Sequence, residues 1–153
     1  MSLRARISSG VKTGLVVLAL CAFVAFLISW FFLYPAYQDG AQKEGRASAM
    51  GFLGSMRHAV SSYHEDNGRY PDDLVALTIG GTYWGGRLPL GVQQYPYHQP
   101  PSRGVQLMTT QDLLEEKFSD SGGWAYIVSG SSAGLVLINC THTDVRGTVW
   151  TSY

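Results

Sequence analysis

The chain has 153 residues, of which 46% are hydrophobic, and its 11 basic and 11 acidic residues balance to a formal net charge of zero. A balanced charge excludes the strongly basic profile of a nucleic-acid-binding protein, so no nucleic acid is expected as a partner. The length is sufficient for one small domain with its own hydrophobic core, in addition to a separate N-terminal segment.

An uncharged stretch near the N-terminus is the strongest pattern in the chain. Residues 13–38 carry no charge, and residues 14–34 are almost all Leu, Val, Ala, Ile, Phe and Trp. As a helix, residues 14–34 would be about 31 Å long at 1.5 Å per residue, close to the ~30 Å thickness of a bilayer's hydrocarbon core. We therefore predict a membrane-spanning helix over residues 14–34, preceded by a basic tail or leader over residues 1–13.

The distribution of charge indicates how this helix is oriented. Arg4, Arg6 and Lys12 precede it without any acid, whereas all 11 acids follow it. Because basic residues favour the cytoplasmic side, we expect a cytoplasmic N-terminus and a domain outside the membrane, over residues 35–153. The apolar run is longer than that of a secretory signal peptide, so we expect it to be retained as a single-pass anchor.

The residues after the span have the pattern of an amphipathic helix that extends to about residue 65. Apolar side chains recur at spacings of three and four, at Met50, Leu53, Met56, Val60 and Tyr63. Glycines that would weaken such a helix occur at Gly40, Gly45, Gly51 and Gly54. They indicate either local flexibility or a surface on which helices of neighbouring subunits pack closely. Pro35 is expected to kink the helix, since it lacks a backbone N–H.

The remaining elements are short. Asn67 and Gly68 end the long helix, and a second short helix begins in residues 70–74. Residues 79–106, rich in Gly, Pro, Tyr and Gln, are predicted to be a long variable loop, either without regular structure or with one short strand, and residues 110–118 a short capped helix. Strand patterns follow at residues 124–128, 135–140 and 148–153. The predicted fold is therefore α+β, with the long N-terminal helix packed on a small antiparallel β-meander over residues 124–153.

Few residues suggest chemistry. His58 and His64 are six apart and so lie on different faces of a helix, and His98 has no partner that the sequence identifies. Cys21 and Cys140 form no metal-binding motif, and no serine lies in a nucleophile motif. We therefore expect no enzymatic activity, no catalytic residues and no cofactor.

Several segments resemble those of type IV pilins and, more closely, the major pseudopilin of type II secretion. The segment PAYQD at residues 35–39 is similar to the point where the family's first helix leaves the membrane. The segments MRHAV at residues 56–60 and DNGRYP at residues 66–71 resemble the end of that helix and the following turn. GGWAY at residues 122–126 and GLVLIN at residues 134–139 resemble its terminal hairpin.

The resemblance implies a structural role. Pilin-like subunits assemble through their N-terminal helices into a helical filament, either a pilus or the short pseudopilus of a secretion system. Implied partners are other copies of the chain, other pilins or pseudopilins, inner-membrane assembly proteins and membrane lipid. The implied location is the bacterial inner membrane before assembly and a periplasmic or extracellular filament afterwards. The alternative is an anchored extracytoplasmic domain that does not assemble and binds a ligand or partner through residues 79–106.

Two features of the family, the processing site and the calcium site, can be compared with particular residues of this chain. Prepilin peptidases cleave after a Gly that precedes Phe-Thr-Leu-x-Glu; here Gly14 and Leu15 would be the site, but Ala19 occupies the position of the Glu. Related major pseudopilins bind calcium near the C-terminus, which makes Asp120 and Asp144 candidate ligands. Calcium takes about six to eight oxygens, so an ordinary turn supported by Asp144 is the alternative interpretation.

Overall fold

The computed structural model describes residues 3–92, 97, 98 and 100–153, and only the helical backbone of residues 3–13, 35, 36, 38, 39, 41 and 42. The chain divides into two compact units, Met1–Ala41 and Gln42–Tyr153. Each unit is described by itself below.

Helices make up the first unit. Helix α1 comprises Leu3–Ile28, a π-helical turn follows at Ser29–Leu33, and helix α2, Tyr34–Asn67, begins here and ends in the second unit. At the π-helical turn, the Tyr34 amide donates to the carbonyl of Ser29. Pro35 has no N–H to donate to the carbonyl one α-helical turn earlier, and a single wide turn is a common adjustment to such a loss.

The predicted apolar helix is present. Gly14–Leu33 is long and apolar enough to cross a membrane, with a mean hydropathy of 2.8 and no buried residue. The sequence prediction of a helix of spanning length is therefore confirmed.

The second unit is built on one face of α2. The predicted periodicity is confirmed, because Leu53, Met56 and Val60 are fully buried while Met50 and Tyr63 pack at the margin of the same core. After α2, a 3-10 segment spans Leu74–Gly81 and is capped by the Asp73 carboxylate, which accepts from the Val75 amide. This segment is the second short helix that the sequence predicted, beginning a few residues later.

A three-stranded sheet packs against α2. Strands β1 (Val105–Thr109), β2 (Trp124–Ser129) and β3 (Val136–Ile138) lie in that order, with β1 parallel to β2 and β2 antiparallel to β3. Alternate side chains of the sheet point to opposite faces. Four of them share a core with α2: Trp124, Tyr126, Val136 and Ile138. Four others form a second, smaller core on the other face: Met108, Ala125, Ile127 and Leu137.

The α+β class and the packing of a small sheet on the long helix are confirmed, but two details of the sheet prediction were wrong. The sheet is mixed, not an antiparallel meander, because its third strand is Val105–Thr109. That strand begins in the last residues of the predicted loop 79–106. Residues 148–153 are not a strand: Trp150–Ser152 is a 3-10 turn, and a single β-bridge joins Thr143 to Val149.

The mixed topology follows from the connection between β1 and β2. Parallel neighbours need a crossover of roughly a dozen residues or more, and residues 110–123 provide it. Helix α3, Thr110–Leu114, opens this crossover and is capped, as predicted, but by Thr109, one residue before the predicted range. The Asp112 amide donates to the Thr109 hydroxyl, and the Asp112 carboxylate accepts from the Thr109 amide. The helix is shorter than the predicted 110–118, and Glu116 beyond it adopts a left-handed backbone with φ of 53°.

Candidate functional site

Gly14–Leu33 presents a long apolar surface in the first unit. Leu15, Leu18 and Phe32 each expose more than half of their area, and no residue of this stretch is buried. Such a contiguous apolar surface is unfavourable in water and marks contact with lipid or with another chain. The proposed processing residues Gly14 and Leu15 lie at the start of this stretch, and a Cβ on Gly14 would meet open space.

A second surface lies on α2 within the second unit, on the side of the helix away from the sheet. Its exposed residues include five small ones, Ala47, Ser48, Gly51, Gly54 and Ser55, together with larger ones such as Glu44, Phe52 and His58. A Cβ on Gly51 or on Gly54 would meet nothing within 4 Å. No described contact within the chain therefore requires glycine at these two positions, and the interpretation of close packing between subunits stays a prediction.

The segments that suggested the pilin-like family contact one another in the second unit. The Tyr126 hydroxyl donates to the Pro71 carbonyl at 2.8 Å. Gly134, with φ of 89°, approaches Tyr70 so closely that a Cβ there would lie 2.3 Å from the ring. The turn after α2 therefore packs against the β2–β3 hairpin through the hydrogen bond of the Tyr126 hydroxyl and through the close contact that glycine allows at position 134.

Asp144 accepts hydrogen bonds from four donors. Its Oδ2 accepts from Arg46 Nε and from the Tyr153 hydroxyl, and its Oδ1 accepts from the amides of Arg146 and Thr148. Burial alone would raise the pKa of Asp144, but the bonds from Tyr153, the Thr148 amide, Arg46 and the Arg146 amide outweigh it and hold the pKa well below its usual range. Arg57 completes the attachment by donating to the carbonyls of Val136 and Tyr153.

Asp120, the other calcium candidate, lies in a different group of side chains. His98, Asp120, Cys140 and His142 place one ligand atom each so that all four atoms lie within 4.8 Å of one another. His98 Nε2 is 3.2 Å from Cys140 Sγ and 3.6 Å from Asp120 Oδ1. His142 Nδ1 is 3.4 Å from Asp120 Oδ2 and 3.7 Å from Cys140 Sγ. We call these four residues the His-Asp-Cys-His cluster.

Local structure holds each member of the cluster. Cys140 and His142 follow β3, and Asp120 lies in the crossover before β2, where its backbone is left-handed with φ of 53°. Asn139 fixes this turn, because its Oδ1 accepts from the Asp120 amide. Asp120 Oδ1 in turn accepts from the Thr141 amide at 2.8 Å.

His98 is seated against a glycine. Gly122 has φ of 70°, and a Cβ there would lie 2.5 Å from Cγ of His98, so only glycine permits this position of the ring. Tyr97 stacks on His142 with ring centroids 3.7 Å apart.

Burial decides the protonation states of the two most enclosed members. Burial raises the pKa of the Cys140 thiol to about 11. Burial also lowers the pKa of His98, with Asp120 opposing that shift and His142 reinforcing it. Both groups are therefore neutral at pH 7, and a protonated thiol is a poor nucleophile. The cluster does not have the chemistry of an activated cysteine.

The structure thus separates the two calcium candidates and brings together three residues that sequence analysis did not group with Asp120. The spacing of Cys140 and His142, two residues apart, was the only local sequence pattern that could have indicated this cluster. His98 and Asp120 come from distant segments, and folding brings them to the end of β3. His58 is exposed, while His64 stacks on Tyr70.

The aromatic side chains of residues 79–106 are divided. Tyr83 and Trp84 pack against the core that α2 shares with the sheet, and Tyr97 is exposed apart from its contact with His142. Tyr95 lies outside the described residues.

Comparison of the chain with models of protein families, with curated proteins and with solved structures found no match in any of the three.

Proposed function

We propose that this chain is a membrane-anchored structural subunit that self-associates through its N-terminal helix into a pilus-like or pseudopilus-like filament. The observation that carries the proposal is the apolar surface of Gly14–Leu33, none of which is buried. Lipid would cover this surface before assembly, and the same helices of neighbouring subunits would cover it afterwards.

The second unit supplies further support. Its α2 residues bury one face against the sheet and leave on the other face small side chains, including Gly51 and Gly54, with open space around them. A helix with one face packed on its own domain and small residues among those exposed on the other face could pack against a neighbouring helix at short distance. The contacts of Tyr126 with Pro71 and of Gly134 with Tyr70 join the segments that carry the resemblance to pilins.

The proposal includes partners and a location. The N-terminus would lie in the cytoplasm, since Arg4, Arg6 and Lys12 precede the apolar stretch without an acid. The second unit would lie beyond the bacterial inner membrane, in the periplasm or in an extracellular filament. Other pilins or pseudopilins and inner-membrane assembly proteins would be its partners.

One sequence feature favours a second function of a different class. Ala19 stands where the pilin family has the Glu that lies five residues into the mature chain, and no acid occurs in residues 13–38. A chain without that Glu lacks one device that sets the register between subunits. The alternative is an anchored domain that stays single and binds a partner through residues 79–106.

Disulfide cross-linking separates these two functions. In a Cys21→Ser background, Ala47→Cys places a thiol on the exposed face of α2, and Ser131→Cys places one in the exposed turn between β2 and β3. We expect mild oxidation of native membranes to give a covalent dimer with Ala47→Cys, because each subunit then has one accessible thiol, and far less dimer with the Ser131→Cys control. Monomers alone from both variants would overturn the filament proposal.

Mass spectrometry of the native N-terminus shows whether the chain is processed before it assembles. A filament subunit processed like a pilin should begin at Leu15, whereas an unprocessed anchor should retain Arg4 and Arg6. A chain that begins at Leu15 and forms the Ala47→Cys dimer would support the full proposal. A chain that retains Arg4 and forms no such dimer would favour the anchored domain.

A further inference from the structure

We propose that the His-Asp-Cys-His cluster is a zinc site that fastens residues 97 and 98 to the end of β3. This inference does not depend on the proposed function, since it concerns side chains of the second unit alone. It rests on the geometry of four ligand atoms, on the types of those atoms and on the way the surrounding residues hold them.

Several distances in the cluster are close to those of a tetrahedral site. Zinc binds imidazole nitrogen and carboxylate oxygen at about 2.0–2.2 Å and thiolate sulfur at about 2.3 Å, so neighbouring ligand atoms of a tetrahedron lie roughly 3.3–3.6 Å apart. Four separations between members of the cluster are 3.2, 3.4, 3.6 and 3.7 Å, of which the two to Asp120 involve its two different oxygens. With one ligand atom taken from each residue, all four atoms lie within 4.8 Å of one another, so side-chain rotation would have to shorten the longest separations for a single ion to contact all four residues.

The types of ligand select the metal. Two imidazoles, one thiolate and one carboxylate suit zinc, whereas calcium and magnesium prefer shells of oxygen. Asp120 is the one carboxylate of the cluster, which falls well short of the roughly six to eight oxygens of a calcium site. Two histidines and a cysteine also bind copper, but a carboxylate in place of a weak axial ligand favours zinc.

The cluster is held in place, and it is also accessible. Cys140 and His98 are buried, which excludes water from one side of the cluster, while the side chains of Asp120 and His142 keep 31% and 27% of their exposure. A metal ion therefore has an entry path from the side of these two residues. The bond from the Thr141 amide to Asp120 orients the carboxylate, as outer-shell hydrogen bonds do at known zinc sites.

Binding would consist of a simple exchange. The Cys140 thiol would release its proton to solvent as its sulfur bonds to Zn²⁺, and Asp120 would bind as the carboxylate. His98 would bind through Nε2 and His142 through Nδ1, both as neutral imidazoles. Four protein ligands leave no open position for a substrate, so the site would be structural. It would join the segment at His98, the crossover at Asp120 and the end of β3.

The test uses the full chain in detergent, with Cys21→Ser so that Cys140 is the remaining thiol. After removal of metals by a chelator, the chain is titrated with Co²⁺, which reports its ligands through its visible spectrum, and then with Zn²⁺. We expect one Co²⁺ per chain, with tetrahedral d–d bands and a thiolate-to-cobalt charge-transfer band, and displacement by one Zn²⁺. We also expect Zn²⁺ to raise the melting temperature of the second unit.

Single substitutions identify the ligands. Loss of an outer-shell partner typically weakens metal binding about 10–100-fold, so His142→Ala and Asp120→Ala, which remove ligands, should weaken zinc binding by at least that factor. Cys140→Ala should remove the charge-transfer band. The matched control is His58→Ala, which removes an exposed histidine of α2 and should bind zinc as the parent chain does.

The outcomes that would overturn the proposal are specific. One is a chain that takes up no stoichiometric Zn²⁺ or Co²⁺ at micromolar concentration. Another is a His142→Ala variant that keeps a native near-ultraviolet circular dichroism spectrum and binds zinc with unchanged affinity. A site that takes copper but neither zinc nor cobalt would also overturn the assignment.

Discussion

Asp144 shows how one carboxylate can hold several parts of a small domain. It accepts from Arg46 on α2, from the Tyr153 hydroxyl and from the amides of Arg146 and Thr148. A buried carboxylate with all of these donors is stabilising, whereas the donors left after its removal would each lack a partner. From the sequence, Asp144 was interpreted as a turn residue or a calcium ligand. Its ion pair with Arg46 could not be predicted, because the two residues lie 98 positions apart.

We predict that Asp144→Asn lowers the free energy of unfolding of the second unit by about 1–3 kcal/mol at pH 7. Because the pKa of Asp144 is lower in the folded than in the unfolded chain, its contribution is complete above about pH 4, the ordinary pKa of Asp. The contribution is lost as the pH falls through the folded-state pKa. The stability difference between the parent chain and Asp144→Asn should therefore be constant near neutrality and should narrow below about pH 4.

Urea titrations at several pH values, followed by near-ultraviolet circular dichroism, measure this difference. The control is Asp72→Asn, which removes the exposed ion pair with Arg69 and should leave stability almost unchanged. A difference that stayed the same from pH 7 to pH 3 would contradict the role assigned to the Asp144 charge.

In helix α2, two glycines lower the helix propensity, whereas the proposed function assigns them to packing between subunits. Gly51 and Gly54 weaken the helix, and no described side chain lies close enough to require glycine. Flexibility alone and close packing against a second copy make different predictions for alanine at these positions.

We predict that Gly51→Ala and Gly54→Ala each stabilise the second unit by up to about 1 kcal/mol, since alanine is the better helix former. In the filament, the added methyl groups should separate neighbouring helices and reduce assembly. Thermal unfolding and cross-linking through Ala47→Cys measure the two effects on the same variants. More stable variants that assemble as well as the parent would show that these glycines serve no helix contact. Ser61→Ala, also exposed on α2, is the matched control.

The elements of the fold differ in how far the sequence could predict them. The face of α2 that contains Leu53 and Met56 and the presence of a short capped helix near residue 110 are local patterns, and both were predicted, although the cap lies at Thr109, one residue before the predicted start. The pairing of Val105 with Trp124 is a long-range contact that no local pattern contains. Residues 148–153 have the β-branched and aromatic composition of a strand, but Arg46, Arg57 and Asp144 bind this segment through side chains and leave it as a 3-10 turn. The His-Asp-Cys-His cluster was missed because its members come from three segments of the chain.

At the scale of the whole molecule, the apolar stretch Gly14–Leu33 decides where the chain resides. If it spans a bilayer, a charge near its centre should be costly, by about 3 kcal/mol for Asp on insertion scales. The same charge on the exposed surface of the second unit should have no such effect.

We therefore predict that Val24→Asp shifts the chain from the carbonate-resistant membrane fraction towards the soluble or degraded fraction. Ile79→Asp, at a residue of the second unit that is 73% exposed, should leave the chain in the membrane. Quantitative immunoblots of fractionated cells measure both. Equal retention of the two variants would contradict a bilayer-spanning role for this stretch.

The contacts of Tyr153 with two arginines of α2 affect how this protein should be prepared. Arg46 binds its hydroxyl and Arg57 binds its main-chain oxygen, and these two arginines lie about three turns apart on α2. A peptide extension after Tyr153 keeps both acceptors, because the carbonyl survives in the new amide bond. Trimming this one tyrosine removes both acceptors at once. Any truncation of this protein should therefore keep Tyr153, and an affinity tag or fluorescent protein placed after Tyr153 should leave both contacts in place.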